Sequence, residues 1–365
     1  MDRLSLRRAI ERLRDGLFDP YAVACLTVEK DGIEQIFSKG LQAVEKGKAS
    51  PLCICGSYGQ GKSHTLTYLK QLALSQGYAT SIVSLDAREI PFHQWSVVYR
   101  SLMETLTLPS KVPFTKAWRN GAGKEALQML DPMPHRFKMT LTAMLCKSRS
   151  LTPKEKSQKK HQAYRPKDYD DWLDKALMGY DIPLTHLKNI CKYREVEGYL
   201  TQSLTCRDNA LYVQMIQSLG KVYREMGSKG WVLFFDEAES IAQGRLGHRV
   251  KSYQLLDQFF QTQGFVFPVF ACTNDFFDRV HHESYDDPAV FPKNYAQEWK
   301  DVPILHLTDF SSCGWDALTD RLMQLYSQAY QIDLPLQVKP SLQSLLVTLE
   351  GQETRIKLKA LVNKL

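Results

Sequence analysis

Residues 55 to 65 read CGSYGQGKSHT, and this short stretch decides the fold. It fits the phosphate-binding pattern G-x-x-x-x-G-K-[ST] through four residues: Gly56, Gly61, Lys62 and Ser63. The apolar run SPLCIC before it predicts a strand, and SHTLTYLKQLALSQG after it predicts a helix. This strand and helix are the setting in which the pattern binds phosphate. The sequence therefore predicts a P-loop in an α/β fold.

The predicted loop carries the chemistry of a nucleotide site. Its glycines let backbone N–H groups turn inward around a β-phosphate at a helix N-terminus. Lys62 would neutralise the β and γ oxygens, and Ser63 would hold Mg²⁺. A glycine-rich turn without a ligand is the alternative. The residues predicted to contact ATP are Gly56, Ser57, Tyr58, Gly59, Gln60, Gly61, Lys62, Ser63 and His64.

A second stretch, WVLFFDEAES at residues 231 to 240, predicts a buried strand that ends in two carboxylates. Asp236 would bind Mg²⁺ through water, and Glu237 would orient and deprotonate an attacking water. Acidic residues after a strand also serve as ordinary helix caps. Together with the P-loop, the pair predicts a hydrolytic site.

Two further polar residues are candidates for contacts with the γ-phosphate. Asn274 follows the strand FVFPVFACTND, where an amide can position a water or sense phosphate. Arg355, in GQETRIKLKALVNKL, begins a predicted helix from which it could fold back onto the γ-phosphate. The alternatives are a turn-forming asparagine and an exposed helical arginine.

The remaining pattern predicts an α/β sheet with helical additions. Apolar runs such as YATSIVSLDA and VPILHL fit parallel strands that are buried on both faces. We expect three parts: N-terminal helices and an adenine-side linker at 1–50, a P-loop core at 51–308, and a helical lid at 309–365. The core contains a helical insertion at about 109–226.

Composition limits the class of protein. The 365 residues are 44% hydrophobic and 24% charged, with a formal net charge of +7, as expected of a soluble globular chain. We find neither a signal peptide nor a membrane span and expect a cytoplasmic protein. The eight cysteines are interpreted as reduced core thiols.

Positive charge concentrates between Lys147 and Lys167, where eight Lys or Arg residues accompany one Glu. The stretch CKSRSLTPKEKSQKKHQAYRPKDYDDW shows no helical apolar stripe and predicts an exposed loop. Such a loop is either merely solvated or contacts DNA phosphates. The residues predicted to make those contacts, near Tyr164, are Lys159, Lys160, Arg165 and Lys167.

The order of these features resembles the ATP-binding domain of BREX-type bacteriophage defence systems, a group within the AAA+ ATPases. The resemblance is carried by five stretches: RRAIERLRDGLFDPYAV, GSYGQGKSHTLTYLKQLAL, VSLDAREIPFHQWSVVYRSL, WVLFFDEAESI and TRIKLKALVNKL. It covers both chain ends and the first half of the sheet, whereas residues 110 to 205 look like a family-variable insertion.

The resemblance implies an AAA+ fold with ATP and Mg²⁺ as cofactors. It implies ATP binding at 56–63, catalysis at Asp236 and Glu237, a first sensor at Asn274 and a second at Arg355. The segment 15–21 would pass the adenine ring. A helicase, other defence proteins and DNA would be partners. The alternatives are a nucleotide-gated scaffold and a signalling switch without DNA-dependent turnover.

Many AAA+ sites are completed by an arginine from a neighbouring subunit. Arg279 is the candidate here, with Lys293 as a second choice. We therefore expect a homo-oligomer.

Overall fold

The computed structural model describes residues 3–17, 19–48, 51–122, 126–147, 166–206, 208–261 and 263–365. Within them, five strands form one all-parallel sheet in the order β2-β3-β4-β1-β5. The strands are β1 (Leu52–Cys55), β2 (Ala79–Ser84), β3 (Trp231–Asp236), β4 (Val266–Cys272) and β5 (Ile304–His306). The sheet confirms the expected α/β class with a central parallel sheet.

Helices precede, separate and follow these strands. Before β1 lie α1 (Arg3–Arg14), α2 (Pro20–Leu26) and α3 (Asp31–Glu45). Between β1 and β3 lie α4 (Lys62–Ser75), α5 (Trp95–Glu104), α6 (Phe114–Ala117), α7 (His135–Leu145), α8 (Pro166–Leu177), α9 (Leu184–Tyr193) and α10 (Asn209–Glu225). After β3 lie α11 (Leu246–Gln261), α12 (Phe276–Asp286), α13 (Tyr295–Glu298), α14 (Ser312–Tyr330), α15 (Val338–Thr348) and α16 (Thr354–Lys364). Single helical turns occupy Trp118–Ala122, Leu127–Leu130 and Ala238–Gln243.

The sheet is covered on both faces because successive side chains of a strand point to opposite sides. Phe234 of β3 packs with α3 and α4, whereas its neighbour Phe235 packs in the core formed with α5, α10 and α11. Every residue of β1, β3 and β4 is buried. Their apolar runs therefore belong to strands in the middle of a three-layer structure.

A third core joins the two ends of the chain. Leu6, Ile10 and Leu13 of α1 pack with Leu322 of α14 and Leu361 of α16. The expected helices at 5–15, at 31–46 and in the tail are confirmed. The proposed domain limits at 50 and 308 stay predictions.

Some expectations from the sequence were wrong. VPILHL does form a strand, but β5 lies at the edge of the sheet, with Ile304 and His306 exposed, because it pairs with β1 alone. The expected loop ends earlier than predicted, since α8 begins at Pro166 and buries Tyr169 and Leu173. Cys313 is exposed, so not all eight free thiols are core residues.

Most of the positive stretch lies outside the described residues. Lys159, Lys160, Tyr164 and Arg165 lie outside the described residues, and Lys167 falls within α8. Their predicted contacts with DNA stay a prediction.

Candidate functional site

The turn between β1 and α4 has the backbone shape that its glycines allow. Gly59 and Gly61 adopt φ values of +78° and +88°, which a residue with a Cβ would adopt only with strain. Gly61 is the residue before α4, whose first residue is Lys62. The turn thus ends at a helix N-terminus, where backbone N–H groups and the helix dipole favour an anion.

Lys62 is buried beneath this turn. Its Nζ donates to the carbonyl oxygens of Gly56 at 3.0 Å and Ser57 at 3.4 Å. The same ammonium lies 3.8 Å from Glu239 Oε1. The backbone N–H of Ser57 donates to Gln60 Oε1 at 2.5 Å, so polar groups of the turn bond to one another.

The acidic pair lies at the carboxyl end of β3, two strands away from β1. Asp236 is buried, and its Oδ1 accepts a hydrogen bond from the backbone N–H of Glu237 at 3.0 Å. Glu237 has φ +56° and ψ +38°, a left-handed conformation that costs a non-glycine residue of order 1 kcal/mol or more. This backbone turns Glu237 into the cavity that the P-loop also lines.

Glu239 was missed by the sequence analysis, although it lies in the same DEAES stretch. Burial raises the pKa of its carboxyl group, while the charge of Lys62 lowers it less. Its Oε2 is buried without a hydrogen-bond partner. The negative charges of Glu237 and Asp236 also raise its pKa, so three carboxylates lie close together here. The helical turn Ala238–Gln243 brings Glu239 to Lys62, which the strand pattern alone does not indicate.

The acidic groups near the P-loop raise the question of whether this site can hold Mg²⁺. Asp236 and the hydroxyl of Ser63 are oxygen ligands of the kind that Mg²⁺ takes. Within the described ranges, no group of three His, Cys, Asp or Glu residues is arranged to hold a metal. Mg²⁺ at nucleotide sites usually keeps waters and substrate phosphate oxygens as ligands, so one carboxylate and one hydroxyl suffice. The residues present fit such an ion.

Asn274 and the P-loop are in direct contact. The Nδ2 of Asn274 donates to Ser57 Oγ at 3.2 Å. This contact is possible because β4, which Asn274 follows, pairs directly with β1, so that Cys272 lies beside Cys55. The carboxyl ends of neighbouring parallel strands meet at one edge of the sheet.

Arg355 reaches the P-loop from the other side. Its Nε donates to the carbonyl oxygen of Gly16 at 2.6 Å, and an Nη donates to the hydroxyl of Tyr58 at 3.2 Å. Arg355 therefore bridges the loop after α1 and the P-loop. Arg355 is an exposed residue of α16 whose side chain makes both of these hydrogen bonds, and its contact with a γ-phosphate stays a prediction.

His64 connects α4 to the end of α2. Its Nε2 lies 2.8 Å from Thr27 Oγ1. The single hydroxyl proton of Thr27 is donated to the carbonyl oxygen of Val23 at 2.6 Å, so the imidazole must be the donor in the other bond. Burial lowers the pKa of His64 to about 4, so the ring is neutral at physiological pH.

A cavity of about 490 Å³ is lined by the P-loop from Tyr58 to His64, by Glu237 and by Arg355, whereas Asp236, Glu239 and Asn274 are not part of its lining. Besides these polar groups, its lining includes the apolar side chains of Leu17, Leu26 and Ile33. The volume lies in the range of about 300–1,000 Å³ that is usual for small-ligand sites. An anion-binding turn and apolar side chains in one cavity fit a nucleotide, with phosphates at the turn and the base against apolar side chains. Gly16, Leu17 and Asp19, from the segment expected near the adenine, line that cavity.

Comparisons with known proteins agree with this geometry. A protein-family model described as BREX system ATP-binding protein BrxC/D matches residues 3–117 and 204–356, which is most of the chain. The match omits 118–203, within the predicted insertion. No curated protein and no solved structure matches the chain. Among the described helices, none has the length and apolar content needed to span a bilayer.

Proposed function

The chain belongs to the family of the BREX system ATP-binding protein BrxC/D, and on that premise we propose that it hydrolyses ATP as an AAA+ type ATPase. Membership in this family implies ATP binding and a role in defence against bacteriophages with other proteins of the system. Hydrolysis, the AAA+ type and the action on DNA with a helicase are the parts we add. A cytoplasmic location stays a prediction.

One observation supports hydrolysis most directly: the two strands next to β1 on one side of the sheet bring polar groups to the P-loop and to the cavity that it lines. β4 lies between β1 and β3, so Asn274 after β4 contacts Ser57, and Glu237 after β3 lines the cavity. A site for binding alone needs the turn and the lysine. A carboxylate and an amide at the γ-phosphate end are what water activation adds. The resemblance implies a first sensor at Asn274, and the position of β4 between the P-loop strand and the acidic-pair strand supports the AAA+ type of core that we propose.

Each residue has a proposed role. Backbone N–H groups of the turn and the ammonium of Lys62 would hold the β- and γ-phosphates. Ser63 and Asp236 would hold Mg²⁺, which neutralises charge on the phosphate oxygens when bound. Glu237 would accept the proton of the attacking water, whose oxygen bonds to the γ-phosphorus as the bond to ADP breaks. Asn274 and Arg355 would position the γ-phosphate.

Replacing Lys62 and Glu237 separates binding from hydrolysis. Lys62→Ala should weaken ATP binding at least about 100-fold, because a charged hydrogen-bond donor to phosphate is lost. Glu237→Gln should retain ATP affinity and lose turnover, because the amide cannot accept the proton. Calorimetry measures the affinity, and release of phosphate with and without DNA measures the turnover.

Lys70→Ala is the control, since Lys70 lies on α4 but does not line the cavity. Unchanged ATP affinity in Lys62→Ala would contradict binding at this loop. Tight binding without turnover in the unmodified chain, with DNA and partner proteins present, would favour the nucleotide-gated scaffold. Glu237→Gln with parental turnover would exclude Glu237 as the base.

A further inference from the structure

A second cavity, of about 310 Å³, lies away from the P-loop between α5, α7 and α10 and the end of α8. Ser96, Arg100 and Tyr212 line it from the part of the chain that the family model matches. Arg136 and Tyr180 line it from the unmatched segment 118–203. The cavity therefore lies where the insertion meets the sheet-covering helices.

Two guanidinium groups in its wall have few partners. Arg136 is only 8% exposed, and its Nη1 donates a single long hydrogen bond, 3.4 Å, to the carbonyl oxygen of Leu204. Arg100 lies 4.4 Å from the centre of the Tyr180 ring and donates to the carbonyl oxygen of Gly179 at 3.5 Å. The Nε of Arg100 is buried with no acceptor.

Two other arginines of the insertion, by contrast, form ion pairs with aspartates. Arg194, 7% exposed, donates to a carboxylate oxygen of Asp170 at 3.0 Å. Arg119 is 2.6 Å from an oxygen of Asp174. Across the described ranges, neither Arg100 nor Arg136 forms an ion pair. A guanidinium stays charged inside a protein, and burial of a charge is costly unless an opposite charge compensates it.

The other groups around the cavity do not supply that negative charge. Burial raises the pKa of Cys206, and it raises the pKa of Tyr212 to about 12, so both are neutral at pH 7. Asp181 is the acidic residue in the lining; it is exposed to water, and its charge contributes a little to the raised pKa of Tyr212. Glu104 lies outside the lining and accepts a hydrogen bond from the Tyr180 hydroxyl. Apart from the exposed carboxylate of Asp181, the lining thus combines two positive charges with apolar and neutral groups.

We propose that this cavity is a binding site for a small phosphate monoester, separate from the ATP site. A monoester dianion carries close to two negative charges at neutral pH, which matches the two guanidinium groups. Arginine presents a planar fork of donors that suits phosphate oxygens. Phe137 and Tyr212 form an apolar wall against which the organic part of the ester packs. A simple carboxylate supplies only half of the charge.

The test uses the full chain carrying Lys62→Ala, so that phosphate retained at the P-loop does not contribute. Calorimetry with phenyl phosphate should give saturable binding, and benzoate and inorganic phosphate should bind at least about tenfold more weakly. Arg136→Gln and Arg100→Gln, each added to this background, should weaken phenyl phosphate binding about tenfold or more. The control is Lys138→Gln, because Lys138 lies on α7 but pairs with exposed Asp131 outside the cavity.

The binding measurements can contradict the proposal in several ways. No saturable binding, or equal binding in Arg100→Gln, would overturn the proposal even where Arg136→Gln fails to fold. Benzoate binding as tight as phenyl phosphate would overturn the assignment to phosphate esters. Because ATP affinity of the unmodified chain is measured separately, failure here leaves the proposed ATPase function untouched, and the reverse also holds.

Discussion

At the scale of single residues, the candidate ATP site has more acidic than basic groups. Asp236, Glu237 and Glu239 lie close together, and Lys62 contacts the last of them. Lys62 and the acidic pair could be predicted from the sequence because P-loop and strand patterns name them. Glu239 could not, because its position depends on a helical turn after β3 and on burial that no local pattern encodes.

Removal of the negative charge of Glu239 should raise the affinity for ATP. Glu239→Gln removes a carboxylate that competes with phosphate for Lys62, so we expect ATP to bind roughly fivefold tighter at pH 8, or about 1 kcal/mol. Calorimetry of the variant beside Glu225→Gln, an exposed acid at the end of α10, measures the effect. Weaker binding in Glu239→Gln would instead assign this carboxylate to the support of Mg²⁺.

His64 predicts a pH dependence of stability. Its pKa is about 4 in the folded protein and near 6.5 when unfolded, so the unfolded chain binds more protons between these values. The contribution of neutral His64 to the free energy of unfolding is therefore fully present above about pH 6.5 and is lost as the pH falls toward 4. Because His64 is only half-buried and borders the cavity, the loss at pH 5 is at most about 2 kcal/mol.

Urea unfolding at pH 7.5 and pH 5 checks this expectation. His64→Gln keeps a donor for Thr27 but does not titrate, so its free energy of unfolding should fall less than that of the parent chain. His306→Gln, with an exposed ring on β5, serves as the matched control. Identical pH dependence in His64→Gln and the parent would show that the ring stays well solvated.

At the scale of elements, close packing of helices on the sheet was the least predictable feature. Patterns indicated β1, β3 and β4 because buried runs are apolar throughout. They misplaced β5, since position in a sheet depends on pairing partners far along the chain. They also missed α2, which has only seven residues after its N-cap Asp19, and α11, in which charged residues interrupt the apolar stripe. The contact between α3 and β4 is an example of close packing that the apolar periodicity of the sequence does not predict.

Gly40 lies where α3 packs against Phe267 of β4. A Cβ at this position would overlap with the ring of Phe267, which also stacks on Phe37 at 5.5 Å. Gly40→Ala should lower the free energy of unfolding by about 1–3 kcal/mol despite the better helix propensity of alanine. Gly32→Ala, on the same helix with open space around it, should be neutral or raise stability by up to about 1 kcal/mol. Stability of Gly40→Ala equal to that of Gly32→Ala, measured by urea unfolding, would contradict this packing.

At the scale of the whole molecule, completion of the site by a second copy can be tested. Arg279 is half-exposed on α12, and its Nε lies 3.2 Å from Glu283 Oε1. We expect turnover per subunit to rise with protein concentration and to fall in Arg279→Ala, because a trans arginine can contribute about 10³-fold or more. Lys293→Ala, whose side chain pairs with Asp257 at 2.6 Å, is the comparison. Turnover that is independent of concentration, in a chain that sediments as a monomer, would rule out a trans arginine.

Two parts of the protein line the cavity beside the P-loop. One is the turn at the end of β1. The other includes Leu13, Leu318 and Leu358, which pack in the core that joins the two chain ends. Direct side-chain bonds between the two sides include Arg355 to Tyr58 and His64 to Thr27. A ligand in this cavity would therefore contact both the P-loop and the core that joins the two chain ends, and would link them to each other.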